Sequence, residues 1–141
     1  MADPERAFLG TGWRFPPSFS RRACSAKMVS GEADVKESLC IILSTAMGER
    51  VMLPEFGCGI WRYVFRSTTT SLIGQVERAV AKAILNWEPR VTVHGVSASP
   101  RPGAVGILEI EIDFSIRGTN SRSNLVFPFY IEEGTIPPAI P

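Results

Sequence analysis

Residues 108–117 alternate between apolar and polar side chains, and this pattern constrains the fold more than any other feature of the sequence. The apolar positions are Leu108, Ile110, Ile112, Phe114 and Ile116, and the polar positions are Glu109, Glu111, Asp113, Ser115 and Arg117. A period of two predicts a β-strand with one face toward a core and the other toward solvent. The acidic side chains of the outer face are explained most simply as the solvated face of an antiparallel sheet. An acidic docking face is the alternative.

Two shorter segments with the same period flank this strand. Val91 and Val93 begin the first, and the second runs through Leu125 and Phe129. A Pro/Gly turn at 99–103 and a glycine-containing turn at 118–121 connect the three segments as a meander. Pro128 lacks a backbone N–H, so the last strand is predicted to lie at an edge of the sheet.

Two amphipathic helices precede the sheet. The first has its apolar face at Val35, Leu39, Ile42, Leu43 and Ala46. It is predicted to begin at Asp34, three residues before Glu37 as in a capping box, and to end before Gly48. The second runs from Thr69 or Thr70 to Trp87, and Pro89 ends it. This order predicts an α+β fold in which both helices pack on one face of a small antiparallel three-stranded sheet.

The chain length of 141 residues suits one domain with a terminal arm and a tail. Residues 1–30 are rich in Pro and Gly without a sustained period and are predicted to form an extended arm. The aromatic residues of the arm, at positions 8, 13, 15 and 19, are expected to dock on the domain or on a partner. Residues 31–130 are predicted to form the single domain, and 131–141 a Pro-rich tail.

The composition argues against several function classes. A net charge of +1 gives no general attraction for nucleic acid. No apolar run reaches the roughly 20 residues of a membrane helix, and no signal peptide is evident, so we expect no membrane insertion and synthesis in the cytoplasm. The three cysteines lack metal-ligand spacing and His94 is the single histidine, so no metal, cofactor or histidine-dependent nucleophile is expected.

The segment 48–59, GERVMLPEFGCG, is predicted to be an ordered loop with its apolar triplet, residues 51–53, partly tucked under the helices. The candidate loop residues are Gly48, Glu49, Arg50, Pro54, Glu55, Phe56 and Gly57. Arg50 and Glu55 either support the loop or contact partners, and structural support is favoured. Glu49, Glu55 and Glu88 are the carboxylates in which a glycosidase pair could be sought.

Glu88, Pro89 and Arg90 form a charged joint between the second helix and the first strand. The helix dipole disfavours a negative charge at Glu88, so a nearby cation is expected, and Arg90 is the local candidate. The pair either fixes the joint internally or presents a bidentate arginine to a partner. The residues alone leave both interpretations open.

Three segments of the chain resemble the baseplate wedge or sheath-initiator family of contractile tails. These segments are FLGTGWRFPP, ILSTAMGERVMLPEFGCGIWRYVF and NWEPRV, whose Glu-Pro-Arg core is that family's signature. The resemblance covers about residues 8–116. It implies a non-enzymatic protein, six copies per baseplate, in contractile phages, type VI secretion baseplates or phage-like injection particles.

The resemblance also implies the partners. Glu88, Pro89 and Arg90 would contact other wedge proteins. The strands that carry Ile110, Ile112, Phe127 and Phe129 would accept arms of sheath subunits by β-augmentation and so template the first sheath ring. Tube or hub proteins are further expected partners, and the mature protein would reside in the baseplate. A lysozyme-like peptidoglycan hydrolase and a free-standing protein-binding adaptor are the alternatives.

Overall fold

Short strands at the N-terminal end, two helices and a three-stranded sheet follow one another along the chain in a computed structural model that describes residues 9–131. The elements are β1 (Thr11–Trp13), β2 (Phe19–Ser20), β3 (Ser25–Ala26), β4 (Met28–Ser30), α1 (Gly31–Ser44), a 3-10 helix (Gly59–Tyr63), α2 (Thr70–Trp87), β5 (Val91–Pro100), β6 (Ile107–Ile116) and β7 (Ser121–Tyr130). The predicted mixed α+β class is confirmed. Phe8 and all but the first residue of the predicted tail lie outside the described residues.

Strands β5, β6 and β7 form an antiparallel sheet with β6 in the centre. Ile110 lies opposite Ala98 on β5 and Phe127 on β7, and all three side chains are buried. Every apolar residue of the alternating series in β6 is buried, as the period of two predicts. β7 is an edge strand, which confirms the prediction made from Pro128.

Helix α2 follows the sequence prediction closely. The Thr69 side chain accepts a hydrogen bond from the Leu72 N–H at 3.2 Å and caps the first turn. The buried residues of α2 are Leu72, Val76, Val80, Ala83 and Ile84. They join side chains of α1 and of the sheet in one hydrophobic core, and α2 packs along β5.

Helix α1 begins three residues earlier than predicted and ends earlier as well. Its N-cap is Ser30, and Asp34 lies inside the first turn, where its carboxylate binds Arg90 instead of capping the helix. The C-cap is Thr45, so Gly48 lies beyond the helix in the following loop. The capping-box assignment is therefore wrong, because a long-range ion pair uses the carboxylate.

The described part of the arm, residues 9–30, folds back as two nested hairpins and not as an extended segment. β1 pairs with β4, and the shorter β2–β3 pair lies between them in the sequence. The buried side chain of Leu9 and a hydrogen bond from the Phe15 N–H to Glu37 Oε2 at 2.9 Å hold this region against the domain. Trp13 and Phe19 contact each other edge to face but remain largely exposed, so they do not dock on the domain.

Candidate functional site

The Glu88-Pro89-Arg90 joint is built around a bidentate ion pair. Glu88 is the C-cap of α2 and only 2% exposed. Arg90 Nε donates to Glu88 Oε1 at 2.7 Å, and Nη2 donates to Oε2 at 2.8 Å. Such a two-point contact fixes the planes of both groups as well as their distance.

The same guanidinium also binds two groups that are distant in the sequence. Arg90 Nη1 donates to Asp34 Oδ2 at 2.7 Å and to the Leu9 carbonyl oxygen at 2.8 Å. Arg90 therefore connects the end of α2, the first turn of α1 and the N-terminal region. The two hydrogen bonds from Arg90 to Glu88 satisfy the buried charge of the carboxylate, which would otherwise be strongly unfavourable inside the protein.

The electrostatics of the pair favour the charged forms. Burial raises the pKa of Glu88, but hydrogen bonds from Arg90 and Ser38 and the charge of Arg90 outweigh burial and hold the pKa below its usual range. The hydrogen bond to Glu88 is the main reason that the pKa of Arg90 rises above its usual value, and Asp34 adds to that rise. Both groups stay ionised at neutral pH.

These contacts correct the assignment of Glu88 as an interface residue. Its two oxygens are used by Arg90 and its side chain is buried, so it fixes the joint internally. Pro89 is exposed and the Arg90 side chain is 25% exposed. Contact between these two residues and wedge proteins stays a prediction.

The predicted strand-accepting residues do not all lie at an edge. Ile110 and Ile112 belong to β6, both of whose edges are already paired, by β5 on one side and β7 on the other. Their assignment as acceptors of a further strand is wrong. Phe127 and Phe129 lie on the edge strand, but their side chains are buried in the core.

The outer edge of β7 presents the backbone groups of alternate residues. The Ile131 N–H donates to the Gly106 carbonyl at 2.8 Å, so the backbone of Ile131 pairs toward β6. Because backbone groups alternate in direction along a strand, the other odd-numbered residues of β7 also pair with β6. The N–H and C=O groups of Asn124, Val126 and Tyr130 then point away from β6. Pro128 is also even-numbered, and it lacks an N–H. The proline therefore removes a donor from the outer edge of β7 without breaking the hydrogen bonds to β6. Within residues 9–131, these outward groups form no backbone hydrogen bond.

The opposite edge of the sheet is formed by β5, which lies beside α2. α2 packs along β5, and Glu77 Oε1 accepts a hydrogen bond from the Ala98 N–H at 2.9 Å. The register between β5 and β6 also shifts between Val93 and Gly95, which marks an irregularity in the strand. Among residues 9–131, a side chain of α2 thus occupies one outward donor of β5, whereas the outward groups of Asn124, Val126 and Tyr130 on β7 have no backbone partner.

The loop 48–57 is held by hydrogen bonds at both ends. The Gly48 N–H donates to the Pro54 carbonyl at 2.7 Å, and Glu49 Oε2 accepts from the Ala46 N–H at 2.9 Å. Gly57 has a φ of 120°, and a Cβ there would lie 2.4 Å from the Thr45 carbonyl oxygen. Glycine is therefore required at this position.

The aromatic contacts of the loop fit the predicted supporting role of Arg50. Its guanidinium lies 3.9 Å from the centre of the Phe56 ring, and Phe56 packs edge to face on Trp87 at 5.2 Å. The tip of the loop differs from its prediction. Val51 and Met52 are each 93% exposed and not tucked under the helices, because the hydrogen bonds of the loop hold the tip outward.

A groove of about 280 Å³ lies between this loop, the 3-10 helix and α2. Its floor contains Gly57, Gly59, Ala79 and Ala83. Its charged lining residues are Glu55, Arg62, Arg78 and Lys82. No sequence motif marks the three cations, although Arg78 and Lys82 are four residues apart on α2 and thus share a face.

The three glutamates considered for glycosidase chemistry are not brought together in this groove. Glu55 lines it, while Glu49 caps the Ala46 N–H and Glu88 is paired with Arg90. Burial raises the pKa of the Cys58 thiol to about 11, which opposes a thiolate role. Residues 9–131 contain no cluster of three metal-ligating side chains and no helix with the length and apolarity to cross a membrane.

Comparison with known proteins identifies relatives of this chain. The family model described as "Baseplate wedge protein gp25" matches residues 29–121. The baseplate wedge protein gp25 of Enterobacteria phage T4 is 34% identical over 86 residues, which are 61% of this chain and 64% of the phage protein. The match therefore spans less than two thirds of that relative.

Two solved structures share the fold. A protein from Geobacter sulfurreducens, proposed to be a tail lysozyme, is 49% identical, with a TM-score of 0.71, over 77% of this chain and 98% of its own. A chain of the anti-feeding prophage baseplate has a TM-score of 0.68 over 93% of this chain and 92% of its own. At 24% identity, the second likeness supports the fold alone.

Proposed function

This chain belongs to the baseplate wedge protein gp25 family, and from that premise we propose that it joins wedge proteins and templates the first sheath ring of a contractile injection machine. Its role as a baseplate wedge component follows from the family. The templating step is our proposal, and the open edge of β7 carries it. An unpaired strand edge accepts a further strand through main-chain hydrogen bonds.

The position of α2 beside β5 favours β7 as the edge for strand addition. Glu77 of α2 occupies the Ala98 donor of β5, and the outward groups of β7 have no backbone partner among the described residues. We also propose that both helices pack on one face of the sheet. The other face and the β7 edge are then available to contact partners. Pro128 limits the donors on that edge, so an incoming strand has a restricted register.

The proposal extends to the other partners and to the place of assembly. Six copies, assembled in the cytoplasm, would surround the tube and hub proteins, and exposed Pro89 with the outer part of Arg90 would contact neighbouring wedge proteins. The internal ion pair supports this contact indirectly, because it holds the joint in one conformation.

A proline at Val126 tests the templating role. The N–H of Val126 points outward, so the substitution removes an outward donor and leaves the ladder to β6 intact, as Pro128 already does. Val126→Pro is expected to fold and to form baseplates that lack sheath in electron micrographs. Val126→Thr keeps the N–H and serves as the matched control. Normal sheath on baseplates of the folded proline variant would refute templating through this edge.

A peptidoglycan hydrolase is the second candidate, because the Geobacter sulfurreducens relative is proposed to be a tail lysozyme and Glu55 lies in a groove. A glycosidase of the usual kind needs two carboxylates about 5–9.5 Å apart. Release of muropeptides from purified cell walls by the chain, and its loss in Glu55→Gln, would support this candidate. The structural role predicts no release by either protein.

A further inference from the structure

The groove beside α2 combines a small-residue floor with a cationic rim. Gln75, Arg78, Lys82 and Asn86 follow one another at steps of three or four residues along α2. At about 1.5 Å per residue, this row extends for roughly 16 Å. That length accommodates about five residues of an extended chain or three turns of a helix.

The charges of the groove are unbalanced. Arg62, Arg78 and Lys82 are exposed, and none of them forms an ion pair with any residue of the range 9–131. Glu55 is the single carboxylate among the lining residues. Three cations with one anion in a concave surface favour a ligand that carries negative charge.

An apolar feature borders the same groove. Met47 and Glu55, which flank the loop tip, both line the groove, and the tip itself exposes Val51 and Met52 almost fully. The hydrogen bond between Gly48 and Pro54 and the packing of Phe56 on Trp87 hold the tip in this position. A fixed apolar protrusion costs little conformational entropy when a partner covers it, which is typical of an interface anchor.

We propose that this groove and the loop tip together bind an acidic, amphipathic segment of another baseplate protein. Carboxylates of the segment pair with Arg62, Arg78 and Lys82, and its apolar side chains cover Val51 and Met52. The Ala79 and Ala83 floor admits the backbone of the segment close to α2. This surface is separate from the open edge of β7, so a second partner can bind while a sheath arm is in place.

A protein segment fits the surface better than nucleic acid does. Three cations over roughly 16 Å are a small number for a polyphosphate backbone, and Glu55 would repel it. The exposed tip side chains are aliphatic, whereas single-stranded nucleic acid is held by stacking on aromatic rings.

Photo-crosslinking in assembled baseplates tests the proposal. A benzophenone amino acid is placed at Met52 or at Gln75 in the full chain, in cells that make the complete set of tail proteins. Mass spectrometry of the cross-linked product is expected to identify the same partner segment from both positions, with two or more carboxylates within about five residues. A third cross-linker at Asn124 reports on the β7 edge, so failure at the groove is distinguishable from failure of sheath templating.

Charge reversal provides the matched comparison. Arg78→Glu with Lys82→Glu is expected to lower the cross-linking yield at Met52 about tenfold, since two ion pairs become repulsive contacts. Arg21→Glu with Arg22→Glu, an equal charge change at exposed arginines outside the groove, is expected to leave the yield unchanged. The neutral pair Arg78→Gln with Lys82→Gln replaces the reversal if the latter unfolds.

Several outcomes would overturn the proposal. These are cross-linking to nucleic acid, cross-linking to a segment without carboxylates, the absence of a cross-linked product from both positions, and an unchanged yield after charge reversal in a folded variant. Recovery of one acidic segment from both positions, with loss on charge reversal, supports it.

Discussion

The Glu88-Pro89-Arg90 joint and the tip of loop 48–57 have opposite relations to solvent. The joint carries two opposite charges, yet Glu88 is buried and Arg90 makes four hydrogen bonds through its side chain to Glu88, Asp34 and Leu9. The loop tip is apolar, yet Val51 and Met52 are exposed. Polarity alone therefore does not indicate which segment faces a partner.

The difference arises from what each segment can bind within the chain. A guanidinium with several donors finds acceptors on three elements, which offsets the cost of burying a carboxylate. Aliphatic side chains at the end of a short, hydrogen-bonded loop cannot reach the core without breaking the loop. The charged joint consequently acts in stability, and the apolar tip is available for recognition.

The largest effect is expected at Arg90. Arg90→Ala leaves the buried carboxylate of Glu88 without its partner, and loss of one member of a buried pair costs about 3–5 kcal/mol of unfolding free energy. Urea denaturation followed by circular dichroism measures this loss. The double variant Glu88→Gln with Arg90→Ala should recover part of it, because no buried charge remains. A loss below about 1 kcal/mol in the single variant would show that the joint is not a stabilising element.

A smaller effect is expected at Gly57, which positions the loop. A Cβ at residue 57 meets the Thr45 carbonyl at 2.4 Å and the residue adopts a positive φ, so Gly57→Ala is expected to cost about 1–3 kcal/mol. Gly103→Ala reports the cost of a positive φ, 77° at that residue, without a close contact, since a Cβ there has open space. Equal losses in the two variants, measured by denaturation, would rule out the proposed close contact as the cause.

The parts of the fold that sequence predicted well depend on neighbours in the chain. The alternation of β6, the Thr69 cap of α2 and the stop at Pro89 are short-range signals, and each has its counterpart in the structure. The strands of the N-terminal region contain only two or three residues, which is too few to show a period. Their pairing was therefore not predictable from periodicity.

The candidate site was only partly predictable for the same reason. The unfavourable position of Glu88 at a helix C-terminus indicated a nearby cation, and Arg90 provides it. The contribution of Asp34 comes from 56 residues away, so local capping rules assigned its carboxylate to the wrong partner. The groove between loop and helix likewise depends on tertiary contacts that no local motif encodes.

Acidification provides a graded test of the joint. Because the pKa of Glu88 is lowered in the folded state, the unfolded chain binds the proton more readily. The stabilisation provided by the ionised Glu88 carboxylate is thus complete above the ordinary glutamate pKa. It is lost as pH falls through the lower pKa that Glu88 has in the folded state. The difference in unfolding free energy between the native chain and Glu88→Gln should shrink over that range, by less than about 1.4 kcal/mol per pH unit. A difference independent of pH would contradict the assigned ionisation.

The smallest effect on stability is expected at the loop tip. In contrast to Arg90→Ala, a substitution there is predicted to leave the free energy of unfolding almost unchanged. Met52 is exposed and contributes little to the core, so Met52→Ser should change the unfolding free energy by no more than about 0.5 kcal/mol. Thermal and urea unfolding of the variant beside Leu39→Ser, a buried position, measures the contrast. A large loss at Met52 would mean that the tip packs within the chain, and the distinction between a structural joint and a recognition loop would then fail. Near-neutral stability combined with weaker incorporation into baseplates would instead assign the tip to a partner contact, because a change that leaves the fold intact can act only through what the exposed surface binds.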